Sequence, residues 1–208
     1  MTKGQQQLVS VVIIIVIALG TIALVLPWTL NMIQKKKDMK TLDDVYNFFQ
    51  KLDETIRNIE KHLGEESLIL KTPGKFTIYP ELTSSVNNNS IIFEFKSKVS
   101  NVAECKPEIC WVPLNTPNTN LTATLGIDPP SVIFARAQRA GDEINVWYKL
   151  WYRELEDQSD HVYRIVLNTT GNSEKSTTTG FLRIQWLNST ERQVAGKTLT
   201  ITKINILV

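Results

Sequence analysis

A long uncharged stretch near the start of the chain sets the strongest limit on its fold. Residues 8–26 read LVSVVIIIVIALGTIALVL, and no charged residue occurs from Gly4 to Gln34. A helix rises about 1.5 Å per residue, so this run would span about 29 Å, which matches the hydrocarbon core of a bilayer. Trp28 follows the run, where an interfacial aromatic side chain is expected. The sequence therefore predicts one membrane-spanning helix.

A cleaved secretory signal is the main alternative for this stretch. The apolar core of such a signal is about 7–15 residues long and precedes small residues at a cleavage site. Here the core is longer, and residues 26–30 (LPWTL) contain no pattern of small residues. We therefore expect the helix to remain in the mature protein.

The residues before the apolar run resemble a processing signal. The chain begins MTKGQQQ, a short basic leader that ends in Lys3-Gly4 and is followed by Gln5. This start resembles the class III signal peptide of archaeal type IV pilins and archaellins. In that family a dedicated peptidase cuts after the glycine, on the cytoplasmic side, and leaves the apolar helix in place. The resemblance implies a cut between Gly4 and Gln5 and an archaeal surface protein.

The chain also departs from the family pattern. Gln7 and Val9 stand where the family often has Ser and Glu. In the related bacterial filaments that glutamate is linked to the registry of subunits. An ordinary signal anchor that begins with the same residues is the alternative interpretation.

The charges after the apolar run bear on which side of the membrane the domain occupies. The positive-inside rule would place this lysine-rich flank, and the domain after it, in the cytoplasm. The pilin-like start implies the opposite, a cytoplasmic N-terminus and an extracytoplasmic domain. The lysines could also contact anionic headgroups. They are Lys35, Lys36, Lys37 and Lys40.

Two further features favour an extracytoplasmic domain at the cell membrane. Cys105 and Cys110 form a C-x4-C pair that suits a disulfide in an oxidising compartment, with two reduced cysteines beside a turn as the alternative. Two thiols alone do not make a four-ligand zinc site. There is also a mild excess of glycosylation sequons over chance. The candidate acceptors are Asn88, Asn120, Asn168 and Asn188.

A second helix is predicted after the lysines, because the apolar spacing becomes that of a heptad repeat. The spacing alternates between three and four residues, and Gly64 follows as a C-terminal stop. Because an isolated helix of this length is marginal in water, the seam needs a partner. The partner is either a second chain, which would give self-association, or the chain's own β domain. The seam residues are Leu42, Val45, Phe49, Leu52, Ile56, Ile59 and Leu63.

After Gly64 the helical period disappears and short alternating runs predict an antiparallel β-sandwich. The chain is thus divided into a leader and transmembrane helix (1–34), a basic flank and coiled-coil-like amphipathic stalk helix (35–64), and the sandwich (65–208). The predicted strands are 67–71, 75–79, 90–98, 109–113, 121–125, 131–138, 143–154, 161–168, 178–188 and 197–208.

The predicted strand 143–154 has two different faces. One face alternates apolar residues and is typical of a core. The other alternates tryptophan with cations and carries Trp147 and Trp151. These two rings could bind a glycan or a neighbouring protein, since tryptophan is enriched at contact surfaces. Alternatively, another element covers them, with lysine and arginine stems over the rings.

The sequence offers little material for catalysis or for a cofactor. The two histidines, His62 and His161, lie in different predicted elements, and the common catalytic and nucleotide-binding motifs do not occur. The acidic residues within 154–160 could hold calcium, but they lack EF-hand spacing, and charged turns are commonly solvated. The net charge of +2, from 23 basic and 21 acidic residues, gives no field for nucleic acid.

These observations lead to two hypotheses. The first is a non-enzymatic, pilin-like surface protein, either structural or filament-associated, without cofactor or metal. Its partners would be the bilayer and further copies or other filament and surface proteins, with no nucleic acid. The second is a single-pass, membrane-tethered module that binds a glycan or a protein through Trp147 and Trp151.

Overall fold

The computed structural model describes residues 3–81, 87–102, 110–177 and 179–208, with side chains from Val11 onward except that of Thr177. Its first element is one continuous helix, α1 (Lys3–His62). The expectation of a transmembrane helix within 1–34 and a separate stalk helix within 35–64 is therefore wrong. No glycine or proline occurs between Trp28 and Leu63, so nothing interrupts the helix where the lysines lie.

The ends and the interior of α1 follow local rules. Pro27 lies inside the helix, where it lacks one backbone N–H donor, yet α1 continues past it. Leu63 (φ 61°) and Gly64 (φ 112°) both take the left-handed conformation that terminates helices. Gly64 adopts it without strain because it has no Cβ. The predicted stop at Gly64 is confirmed.

In the described part of the chain, twelve strands follow α1, which confirms the prediction of a mainly β domain. Two short strands, β8 and β10, were not predicted as separate elements, and the predicted strand 143–154 divides at Arg153. The strands are β1 (Glu65–Leu70), β2 (Gly74–Tyr79), β3 (Ser90–Ser97), β4 (Val112–Pro113), β5 (Thr122–Thr124), β6 (Ser131–Ala140), β7 (Glu143–Tyr152), β8 (Glu154–Glu156), β9 (His161–Asn168), β10 (Glu174–Thr177), β11 (Gly180–Val194) and β12 (Lys197–Leu207).

The strands form two six-stranded sheets. Sheet A has the order β1-β11-β12-β9-β8-β5, and sheet B has the order β10-β2-β3-β7-β6-β4. Sheet B is antiparallel throughout its described pairs. Sheet A is mixed, because β12 pairs with β9 and β5 pairs with β8 in parallel. The expectation of a purely antiparallel sandwich is therefore wrong for sheet A.

The second half of α1 is part of the sandwich core. It contacts β1, β11 and β12 of sheet A as well as β6 and β7 of sheet B. Phe49 packs against Tyr148 of β7, with ring centroids 5.8 Å apart. Phe48, beside the seam, packs against Phe76 of β2 at 6.0 Å. The chain's own sheets thus supply the partner that the seam requires.

Burial of the seam decides between its two predicted partners. The six seam residues from Leu42 to Ile59 are buried, whereas Leu63, at the end of the helix, is 55% exposed. Burial of each such side chain stabilises the fold by about 1.5–3 kcal/mol. Six of the seven residues predicted to self-associate are therefore covered by the chain's own sheets, and Leu63 alone of the seam is open to a second chain. The covered residues are Leu42, Val45, Phe49, Leu52, Ile56 and Ile59.

Candidate functional site

The first half of α1 presents an uncovered apolar surface. From Val11 to Leu30 its large apolar side chains are exposed, Leu24 to 80%. α1 is the one described helix that is long and apolar enough to cross a membrane. Its threonine hydroxyls bond within the helix, because the hydroxyl of Thr21 donates to the carbonyl of Ala18 at 2.8 Å and that of Thr29 donates to the carbonyl of Val25 at 3.0 Å. This surface suits lipid or other apolar helices.

The helix meets the domain just beyond the lysines. The Asp38 carboxylate accepts the backbone N–H of Lys98 at 2.9 Å and the side-chain amide of Gln34 at 2.7 Å. Lys36 and Lys37, like the other lysines of this flank, are exposed. The junction between the apolar half and the sandwich is therefore a regular helix with a hydrogen bond to the domain.

A buried polar contact sets the rotation of α1 against sheet B. The Tyr152 hydroxyl donates to Oδ1 of Asp53 at 2.9 Å, and Arg57 pairs with Oδ2 of Asp53 at 2.9 Å. Burial, and then the Asp53 charge, raise the pKa of Tyr152 well above its usual range. Because Asp53 is itself buried, rotation of the helix would leave its carboxylate buried without Tyr152 as a hydrogen-bond partner, which is unfavourable.

Asn89 joins the two sheets. Its side-chain amide donates to the carbonyls of Tyr152 (3.1 Å) and Ile165 (2.8 Å), and its Oδ1 accepts the N–H of Leu167 at 2.8 Å. Its φ of 54° lies in the left-handed region, which asparagine tolerates better than most residues. One side chain thus links β7 of sheet B to β9 of sheet A.

The tryptophan-bearing face of β7 lies on the outside of sheet B, away from α1. The Arg136 guanidinium lies 4.2 Å from the Trp147 ring centroid and 5.3 Å from that of Trp111. Trp151 packs against Phe134 at 6.3 Å. All four rings are partly buried. Because a guanidinium covers one face of Trp147, these contacts favour the structural interpretation of Trp147 and Trp151 over an open stacking platform.

Lys149 lies within the same aromatic cluster. Its ammonium is 5.5 Å from the Trp111 centroid and donates to Oδ1 of Asn87 at 3.1 Å. Lys149 is 7% exposed, and this desolvation lowers the pKa of its side chain to about 8. A neighbouring cavity of about 200 Å³ opens between Trp111, Trp147 and the outer faces of β2 and β3. Sequence reasoning missed Phe134 and Arg136, although they lie on β6, the hairpin partner of β7, where Arg136 pairs with Trp147. It missed Trp111 because that residue comes from a segment distant in the chain.

The acidic residues near β8 are engaged one by one rather than gathered around a cation. Glu154 pairs with Arg164 at 3.0 Å, and Glu156 pairs with Lys197. The Asp157 carboxylate accepts the backbone N–H of His161 at 3.0 Å, which lowers its pKa. Across the residues that the structure describes, no group of three or more His, Cys, Asp or Glu is placed to hold a metal ion.

The remaining predicted sites lie in separate parts of the chain. Lys3, Gly4 and Gln5 lie in the first turn of α1. Cys110 is disulfide-bonded, while Cys105 lies outside the described residues. Among the sequons, the acceptors of one pair are exposed and those of the other pair are partly buried. The exposed ones are Asn120 and Asn188, and the partly buried ones are Asn88 and Asn168.

The described part of the molecule therefore combines a long apolar helix surface, a basic flank and a sandwich whose core includes the second half of the same helix. Comparison with known proteins adds no relative: no family model matches the chain, and neither the curated proteins nor the solved structures include a significant match.

Proposed function

We propose that this chain is a pilin-like cell-surface protein with a structural or filament-associated role. The apolar half of α1 occupies the bilayer or the core of a filament, and the sandwich is displayed outside the cell. The role is non-enzymatic.

The continuity of α1 is the observation that carries this proposal. A domain that only needs a tether requires no more than a flexible linker. Here a helix of about 90 Å runs from the apolar surface into the sandwich core without a break. The Asp53–Tyr152 contact and the buried seam hold the domain in one orientation relative to that surface. A fixed orientation is what repeated packing of many copies needs.

The uncovered apolar half supports the same proposal. Each large apolar side chain left in water forgoes about 1.5–3 kcal/mol. Residues 11–30 expose many of them on every side of the helix. Lipid would cover this surface in a single subunit, and neighbouring helices would cover it in an assembly.

Two observations support the proposed extracytoplasmic location of the domain. The pilin-like start at Lys3-Gly4-Gln5 implies a cytoplasmic N-terminus. The disulfide of Cys110 suits an oxidising compartment. The lysines after the apolar run oppose this orientation under the positive-inside rule.

The mature N-terminus tests the proposal directly. Intact mass and terminal peptide sequencing of the native membrane-bound protein should give a chain that begins at Gln5. Gly4→Val should block this processing and abolish any filaments seen by electron microscopy. Gly20→Val is the matched control for processing, because it leaves the cleavage sequence unchanged and a Cβ at Gly20 would meet no other atom of the chain within 4 Å. A native chain that still carries Lys3 and Gly4 would refute the pilin-like assignment.

A further inference from the structure

Three consecutive lysines form a ring of charge around α1, which we call the lysine collar (Lys35, Lys36 and Lys37). Successive helical residues are about 100° apart, so the three side chains leave the helix on different sides. All three are exposed. Among the ion pairs of the described residues, none includes a collar lysine. The adjacent carboxylate, Asp38, is already bonded to Gln34 and Lys98.

The position of the collar relative to a bilayer follows from the helix rise. The run 8–26 is centred on Ile17. With Ile17 at the midplane and about 1.5 Å per residue, Trp28 lies about 16 Å away, at the interface where tryptophan is favoured. The collar backbone then lies about 27–30 Å from the midplane, just outside the headgroup layer, which ends at about 20–22 Å.

The direction of helical side chains shortens the distance between the collar and the headgroup layer. Cα–Cβ bonds in a helix tilt toward its N-terminus, which here is toward the membrane. An extended lysine side chain reaches about 6 Å by its bond lengths. With these side chains laid along the helix axis, the collar ammonium groups reach about 21–24 Å from the midplane, at the outer edge of the headgroup layer. Lys40 starts about 34 Å from the midplane and falls short of that layer.

We propose that the lysine collar binds the phosphate groups of anionic lipids in the leaflet on the domain side. The proposal rests on the proposed membrane location of the apolar half of α1. Because α1 is continuous into the sandwich, lipid contacts at the collar also set how high the domain stands above the membrane. The competing occupants are the exposed carboxylates of Asp43 and Asp44 of a second copy in a helix bundle.

The test compares lipid selectivity in nanodiscs that contain the full chain. Spin-labelled phosphatidylglycerol and phosphatidylcholine report, by electron paramagnetic resonance, which lipid is immobilised at the protein. We expect a preference for phosphatidylglycerol of at least about fivefold, since one juxtamembrane lysine contributes roughly that factor. The preference should fall as salt is raised. Inorganic phosphate, at matched ionic strength, should not compete, because the collar reaches its ligand only at the membrane surface.

Two matched variants distinguish the effect of the collar lysines from the effect of losing any three positive charges. Lys35→Gln/Lys36→Gln/Lys37→Gln should abolish the preference. The control removes three exposed lysines of the domain, Lys51→Gln/Lys71→Gln/Lys175→Gln, and should retain it.

Three outcomes would overturn the proposal. They are no preference in the unmodified chain, an equal preference in the collar variant, and, in the unmodified chain in nanodiscs, crosslinks between position 36 of one copy and position 43 of another that show the collar to be occupied by carboxylates. Incorporation into nanodiscs of neutral lipid alone is a separate readout. Its failure would instead remove the membrane location on which the proposed function rests.

Discussion

Replacing Asn89 should destabilise the sandwich more than any other single polar change at the junction of its sheets. The side chain is 2% exposed and makes three hydrogen bonds, to backbone groups of β7 and β9. Asn89→Ala removes all three and leaves two carbonyls and one N–H without their partner.

The magnitude follows from those three groups and from the backbone. Each buried backbone group left unsatisfied costs about 1–3 kcal/mol. An alanine at φ 54° adds about 1 kcal/mol, because alanine lacks the tolerance of asparagine for the left-handed region. Relaxation and water entry offset part of this sum, so we expect a loss of about 4 kcal/mol in the free energy of unfolding. Single domains are stable by about 5–15 kcal/mol, so this loss takes much of the total.

The assay is urea unfolding of the full chain in detergent, monitored by the fluorescence of its five tryptophans. Asn89→Gly should be less destabilising than Asn89→Ala by about 1 kcal/mol, since glycine accepts this φ without strain. Asn188→Ala is the control, because Asn188 is exposed on β11 and its loss should cost about 0.5 kcal/mol or less. A loss under about 1 kcal/mol for Asn89→Ala would refute the view that this side chain holds the two sheets together.

Three further outcomes are expected. Phe49→Ala should lower the free energy of unfolding by about 3–5 kcal/mol in the same assay, because Phe49 is fully buried between the sheets. The control, Met39→Ala, should lower it little, because Met39 is 59% exposed. Equal small losses for the two variants would mean that α1 lies outside the core. Lys149→Met should raise the midpoint of unfolding at pH 7, because the folded state lowers the pKa of Lys149 to about 8. Between pH 8 and 10.5, the pKa of Lys149 in the unfolded chain, the unfolded state binds more protons than the folded state. The stability of the unmodified protein therefore rises over that window, and the stability gained by Lys149→Met should shrink. A gain independent of pH would contradict the assigned cause. If the domain is extracytoplasmic in a glycosylating cell, peptide mapping should find glycans at the exposed Asn120 and Asn188 before the partly buried Asn88 and Asn168; the reverse order would be inconsistent with the surface described.

The sequence alone determined the features that depend on neighbours along the chain. The apolar run 8–26 and the heptad spacing from Leu42 to Leu63 repeat with the helical period, and the two-residue alternation after Gly64 predicts strands. The inward face of β7 was also readable, because alternate residues of a strand point the same way. The predicted processing signal at Gly4 and the candidate glycosylation sites are likewise read from the sequence alone.

Only the tertiary structure decided which surfaces meet. The seam could have paired with a second helix as well as with sheets, because apolar burial has no direction and accepts either partner. The parallel pairing of β12 with β9, the link through Asn89 and the contact of Trp111 with Arg136 join residues far apart in sequence. Local periodicity carries no record of such contacts, since they depend on chain order and on which strands become neighbours in space.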